Sequence, residues 1–366
     1  AEAPEPSPEL VLPAVEPPPP VVESAAEADV EPAVGQAVEP STEPAAPLLG
    51  PGAQAVAGVD VGANSVHLLV AVVTGHRLEP VVDESTFLGL GDRVEARGTL
   101  GPAKRAELVA ALVRYAETAR RLGAGRIEFV GTDPLRSAAD AAAAVHEVGL
   151  ASGVALSVID PREEAELTLL GVSLGRPIER ELAIVDVGGG SSQLVRIGPG
   201  HAQVSLGLAL GGARLTAAFV SHDPPTSAEI EAMREEARRV VGATPLVVLS
   251  ELVAVGGTAS NLVKVLPGAM LDRRLDPERL AAALATLGSE PAELAAERHA
   301  INPTRARLLP AGAVILEAIL AHFGLDGLTV SEAGVREGLV LAVAHAGVAW
   351  RDQLATLARG WDDPAD

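Results

Sequence analysis

Two short segments place a carboxylate directly before small residues: Asp60-Val-Gly-Ala-Asn-Ser65 and Asp186-Val-Gly-Gly-Gly-Ser-Ser192. In each, an apolar run ends at the aspartate and a turn follows. Glycine has no Cβ, so Gly62, Gly188, Gly189 and Gly190 let backbone N–H groups approach phosphate oxygens. Asn64, Ser65, Ser191 and Ser192 add side-chain donors. Asp60 and Asp186 can hold a hydrated Mg²⁺ facing those oxygens, because this ion binds few protein carboxylates and keeps sites for substrate phosphate. Gly256-Gly257-Thr258 forms a third glycine turn at the end of another apolar run. One such segment alone is more often a plain tight turn than a phosphate contact. Two facing each other can clamp a phosphoryl chain.

The elements that would carry these residues follow from periodicity. Residues 55–73 read as strand, Gly/Asn/Ser turn, strand. A helix is expected over 102–122, a strand over 126–131, a helix over 138–150, a strand over 155–159 and a helix over 163–174. The pattern then restarts. Residues 182–197 again read as strand, Gly/Ser turn, strand, followed by a helix over 227–241 and a strand over 252–255 that ends in the third glycine turn. A long helix over 303–323, a strand over 328–331 and a helix over 334–344 complete the reading.

The first fifty residues differ in kind. They hold twelve prolines and ten acids, with no Lys or Arg. Such composition cannot offset the cost of ordering a backbone, so 1–52 is expected to be a disordered, acidic tail with polyproline II stretches. It serves as a solubilising linker or as a docking tail for a proline-reading or basic partner. The whole chain has 366 residues, a net charge of −21 and no cysteine, which excludes disulfides and thiolate metal sites. An acidic surface disfavours nucleic acid and anionic membrane as partners. It would also repel a polyanion unless cations line the site. No apolar run reaches the length of a membrane span, and the cytoplasm is the expected location.

The duplicated order resembles the actin, Hsp70 and sugar-kinase superfamily. Within it, VDVGANSVHLLVAVV (59–73), GTDPLRSAADA (131–141), VIDPREEAELTLLGV (158–172) and IVDVGGGSSQLV (184–195) resemble blocks of the exopolyphosphatase and guanosine-pentaphosphate phosphatase family. SLGLALGGARLT (205–216), VGGTASNLVKV (255–265), NPTRARLLPAGAVIL (302–316) and VSEAGVREGLVL (330–341) follow in that family's order. The resemblance covers about 57 to 345. It implies an α/β, two-lobed actin-like fold with a cleft, divided here into lobes at 53–178 and 179–348 with an extension at 349–366. It also implies Mg²⁺-dependent hydrolysis of phosphoanhydride bonds in polyphosphate or guanosine pentaphosphate. Glu164 matches the family's catalytic glutamate and is the expected base and a further metal ligand; otherwise Glu163 and Glu164 simply complement a helix N-terminus. Arg136 is expected as a phosphate clamp, or else as an exposed arginine at a helix start, and Asp133 as a second catalytic carboxylate.

Several polar positions depart from that family. Ala63 replaces a serine, Phe87 and Glu166 replace arginines, Gln193 replaces a glutamate and Arg307 replaces an aspartate. These changes fit an altered substrate size or lost catalysis. Two rivals follow: an ATP-dependent kinase or ATPase with a nucleoside pocket beside Gly256-Gly257-Thr258, and a module that binds polyphosphate or an alarmone without cleaving it. The expected partners are the phosphate substrate and a second copy of the chain in a homodimer.

Overall fold

The computed structural model describes residues 54–198, 204–245 and 248–362; the acidic tail expected at 1–52 lies outside them. The Val- and Leu-rich strands β1 (Gln54–Val61) and β2 (Ser65–Thr74) pair antiparallel around the first glycine turn. β3 (Arg77–Phe87) continues the meander as an edge strand. Helices α1 (Leu90–Arg97) and α2 (Gly101–Arg121) then cross over to β4 (Arg126–Gly131), which lies parallel to β1. Parallel neighbours need such a crossover, since a tight turn can join only antiparallel strands. α3 (Asp133–Ser137) and α4 (Ala141–Ser152) lead to β5 (Leu156–Val158) and α5 (Pro161–Ser173). The sheet order is β3-β2-β1-β4-β5.

The second sheet repeats this plan. β6 (Leu182–Val187), β7 (Ser192–Ile197) and β8 (Val204–Leu208) form the antiparallel half. α6 (Gly212–Phe219) and α7 (Ser227–Gly242) cross to β9 (Glu251–Val255), parallel to β6. α8 (Gly256–Val265), α9 (Ala269–Asp272), β10 (Arg274–Leu275), α10 (Pro277–Leu287), α11 (Ala292–His299) and α12 (Pro303–Phe323) precede β11 (Leu328–Val330). The order is β10-β11-β9-β6-β7-β8, the first sheet's five-strand plan with β10 added at one edge. α12 is long and apolar enough to cross a membrane, and its burial among the helices of this lobe accounts for that composition.

Two details differ from expectation, and the extension, for which the sequence reading assigns no elements, is structured. Gly256-Gly257-Thr258 is the first turn of α8, not a free loop. α13 (Val335–Ala346), assigned by sequence to the second lobe, packs on β1, β2 and α5 of the first sheet. The extension forms α14 (Trp350–Leu357), whose Trp350 and Leu354 join the same apolar cluster as Leu339, Val340 and Val343. Beyond it, Ala358 packs with Leu182 and Ile184 of the second sheet, and the Trp361 N–H donates to Gly175 O at 3.0 Å. The last segment therefore touches both lobes and the crossover between them. All described residues fall in one compact unit.

Candidate functional site

The two glycine hairpins have the same local geometry. Gly62 N donates to Ser65 O (3.1 Å), and Gly188 N donates to Ser191 O (2.9 Å). A Cβ on Gly188 would lie 2.9 Å from that Ser191 oxygen, so the turn needs glycine there. Both turns are braced from behind. Leu88 and Gly89 N–H groups bind Asn64 O, and Gly91 N binds Ala63 O at 2.7 Å. In the second loop, Gly212 N binds Gly188 O (2.9 Å), Arg214 N binds Gly189 O (3.1 Å) and Arg214 Nε binds Gly190 O (2.8 Å).

This bracing has a direct consequence. In a trans peptide the C=O and N–H point in opposite directions. Holding the carbonyls of Gly188, Gly189 and Gly190 against α6 turns the N–H groups of Gly189, Gly190 and Ser191 to the opposite side. Among the described residues, none of these three donates to another protein group. Successive free amides of this kind form an anion-binding nest. The first turn of α8 adds more: no side chain caps it, and a Cβ on Gly256 would lie 2.5 Å from Asp186 Oδ1.

The carboxylates converge on the same cleft. Asp60 Oδ1 is buried with no hydrogen-bond partner. Burial, then repulsion from Glu164, push Asp60 up to about 7, against the attraction of Arg336. The same two causes push Asp186 up to about 7, against Arg305. The Asp186 side chain is wetted at the cleft floor although protein crowds it, so water moderates that push. Asp186 also raises Asp60, so the two aspartates lie within electrostatic reach of each other. Glu164 stands between them. Burial raises its pKa, and Arg136, whose Nη1 donates to Glu164 Oε2 at 2.7 Å and to Ile159 O at 2.9 Å, lowers it.

The start of α5 separates the two readings of Glu163 and Glu164. Glu163 closes a capping box with Asp160 and pairs with Arg351, so it complements the helix N-terminus. Glu164 turns to Arg136 and the cleft. Other expected donors are otherwise engaged. Ser192 is buried and its hydroxyl donates to Leu210 O at 2.6 Å. The Thr258 hydroxyl donates to Val187 O at 2.7 Å, fixing α8 to β6. Ser65 is buried, and Asp133 is exposed, accepting from Ser137 while raising Glu164 from a distance. Ser191 is exposed at the loop.

Three cleft residues escaped the sequence reading although blocks quoted above contain them. Arg305, in the first turn of α12, overlies Gly257, whose Cβ would meet Arg305 Nη1 at 2.1 Å. It is largely desolvated and has no carboxylate within ion-pair distance among the described residues; Asp186 acts on it only at longer range. Arg336, on α13, pairs with Asp83 and with Glu337 at 3.3 Å. His67 lies opposite Asp60 on β2, hence on the same face, and burial with Arg336 and Arg305 nearby pushes it down to about 4, so it is neutral. Arg136, Arg305 and Arg336 are the local cations that an acidic chain needs to admit a polyanion.

The departures sort by position. Phe87 is 45% exposed at the end of β3, beside the first loop. Glu166 is buried and receives Arg162 Nε at 3.0 Å. Gln193 Nε2 reaches Pro161 O at 3.4 Å, across the two lobes, and Arg307 sits 3.8 Å from Asp223. Phe87→Arg should therefore change stability by no more than about 0.5 kcal/mol. Glu166→Arg should cost about 3 kcal/mol, because it sets a second guanidinium against Arg162 at a buried position. Urea denaturation of both single variants checks this; equal stabilities would show that the Glu166 pair is not needed.

A cavity of about 630 Å³ lies elsewhere, between His76, Arg176, Arg180, Leu182, Glu251 and Trp361 at the crossover. It shares no residue with the carboxylate and glycine cluster, so the chemistry belongs to the open cleft. The sequence profile of the Ppx/GppA phosphatase family matches residues 68–346. The chain is 30% identical over 319 residues to Exopolyphosphatase 2 of Mycobacterium tuberculosis, covering 79% of this chain and 98% of that one. It is 27% identical over 301 residues to Exopolyphosphatase 1 of Mycobacterium leprae, covering 77% and 87%. The crystal structure of the Aquifex aeolicus Ppx/GppA family member superposes with a TM-score of 0.69 at 25% identity, covering 79% of this chain and 97% of that one. Glycine loops, facing acids and duplicated sheets thus agree with sequence and fold, and the chain belongs to the Ppx/GppA phosphatase family.

Proposed function

We propose that the chain hydrolyses terminal phosphoanhydride bonds of inorganic polyphosphate, with guanosine pentaphosphate as a second substrate. One observation carries this reading: three unclaimed amides of the second loop stand beside a cleft that combines Asp60, Asp186 and Glu164 with Arg136, Arg305 and Arg336. The amides and arginines take up charge on the phosphoryl group being transferred. Glu164 accepts the proton of the attacking water, and Arg136 holds its carboxylate in place. The exopolyphosphatase names of the mycobacterial relatives support polyphosphate as the substrate.

A divalent cation fits the acids. Asp60 has a buried oxygen without a partner; Glu164 and Asp186 raise its cost of ionisation, and Glu164 raises that of Asp186. Among the described residues no three acidic or histidine side chains cluster tightly enough to form a complete cage. That suits Mg²⁺, which keeps waters and binds substrate phosphate. Asp60 and Asp186 would hold it, with Glu164 nearby; when bound it would neutralise phosphate charge.

This fit has a testable pH signature. Burial and Glu164 raise the folded-state pKa of Asp60 from 3.8 to about 7 and move that of the wetted Asp186 in the same direction. Their contribution to stability is full below the unfolded value and is lost as pH rises through the folded one. The metal-free protein should melt lower at about pH 8 than at about pH 5.5, and Mg²⁺ should restore more of the loss at the higher pH. Thermal melts with and without Mg²⁺ decide it; no response to Mg²⁺ at the higher pH would remove the cation site.

Phosphate release from long polyphosphate, triphosphate, guanosine pentaphosphate and ATP, with and without Mg²⁺, tests the activity. Mg²⁺-dependent release from polyphosphate that exceeds release from ATP is expected. Tight binding without release would identify a binding module, and preferred ATP turnover would identify an ATPase.

A further inference from the structure

We infer that Arg214 forms an outer phosphate subsite that only long polyphosphate chains reach, so that it sets chain-length preference. The inference rests on the polyphosphate reading above. Arg214 is the third residue of α6 and is exposed. Its Nε donates to Gly190 O at 2.8 Å, which fixes the guanidinium at the rim of the second loop. Among the described residues it has no carboxylate within ion-pair distance, unlike Arg105, Arg234, Arg273 and Arg279, each of which is paired. Its terminal amino groups and its charge are therefore available.

The loop geometry decides what they can touch. The guanidinium lies on the carbonyl side of Gly190, whereas the amides of Gly189, Gly190 and Ser191 point the other way. A phosphate held by those amides is across the loop from Arg214. A triphosphate bound in the cleft does not meet it. A longer chain leaving the cleft passes over the loop tip at Gly190, where a Cβ would meet nothing within 4 Å. There a further phosphate reaches the Arg214 amino groups. Arginine suits this position because its fork can bind the loop carbonyl and a phosphate oxygen together.

The test compares Arg214→Ala and Arg214→Lys with wild type, using long-chain polyphosphate and triphosphate. Arg214→Ala loses both the bond to Gly190 O and the charge, so any loss of kcat should be shared by the two substrates, whereas KM should rise about tenfold more for the long chain than for triphosphate. Arg214→Lys keeps the charge but loses the Nε bond, and it should recover most of the long-chain affinity. The Arg214→Ala penalty should shrink at high salt. If Arg214 only props the loop, kcat and KM change alike for both substrates and lysine does not rescue; that result overturns the subsite. Equal KM ratios for the two lengths overturn it as well. Equilibrium binding of long-chain polyphosphate to wild type and Arg214→Ala separates the subsite from the hydrolytic reading. Arg214-dependent binding without turnover keeps the subsite and removes the hydrolase, whereas no binding by wild type removes both.

Discussion

Glu164→Gln should abolish polyphosphate hydrolysis, lowering kcat by about a thousandfold, the usual contribution of a positioned general base. The substitution keeps shape and an oxygen that can accept from Arg136 Nη1, so the melting temperature should change little. It removes only the basic carboxylate. Burial raises the pKa of that carboxyl despite Arg136. A base works when deprotonated, so wild-type activity should fall with falling pH at a point above the ordinary glutamate range, and the glutamine variant should lack this limb. Initial rates across pH, measured beside thermal melts, check both points. A folded variant with a wild-type rate would remove Glu164 from the mechanism. The neighbouring Glu163→Gln is the control: glutamine still closes the capping box but loses the charge paired with Arg351, so stability should fall by no more than about 1 kcal/mol and the pH profile should stay in place.

Gly338→Leu should prevent stable folding. α5 and α13 cross with their backbones in contact. A Cβ on Gly338 would lie 1.9 Å from Leu167 O, and one on Gly171 would lie 2.1 Å from Gly334 O. Both obstacles are main chain, so no rotamer change relieves them. Gly338→Ala should cost about 2–3 kcal/mol, more than the roughly 1 kcal/mol that alanine gains over glycine in a helix. Chemical denaturation measures this. The alanine variant should also lose activity, because α5 carries Glu164 and α13 carries Arg336. An alanine variant as stable as wild type would show that the helices can separate without penalty.

Much of the fold was legible because its strongest signals are local. The two hairpins, the strand at 126–131 and the helix at 303–323 are set by apolar period and glycine turns, and the structure has β4 and α12 at those residues. β3 was not legible. Its sequence RLEPVVDESTF is polar and contains a proline, because it is an edge strand with most positions exposed. The third glycine turn was misread since nothing local distinguishes a turn from a helix that starts without a cap. The candidate site divides in the same way. Asp60, Asp186 and the glycines announce themselves, whereas Arg305 and Arg336 gain their place only when distant elements meet at the cleft; His67 is a hairpin neighbour of Asp60, hidden in an apolar strand. A hydroxyl's direction is equally tertiary. Ser192 and Thr258 look like phosphate donors in sequence, and both are spent on carbonyls that hold the loops.

The return of α13 and α14 to the first sheet imposes an order of events during synthesis. β1 and β2 leave the ribosome before the second lobe, yet one face of their sheet is covered by Leu339, Val340, Val343, Trp350 and Leu354, which are made after it. Until then Val56, Leu69 and Ala71 have only part of their apolar cover. The first lobe therefore cannot mature on its own, whereas the cluster that joins the second sheet to α12 is complete once β11 has been made. A nascent chain stopped before α13 would carry an exposed hydrophobic face, the kind of surface that chaperones retain and that aggregates when unprotected.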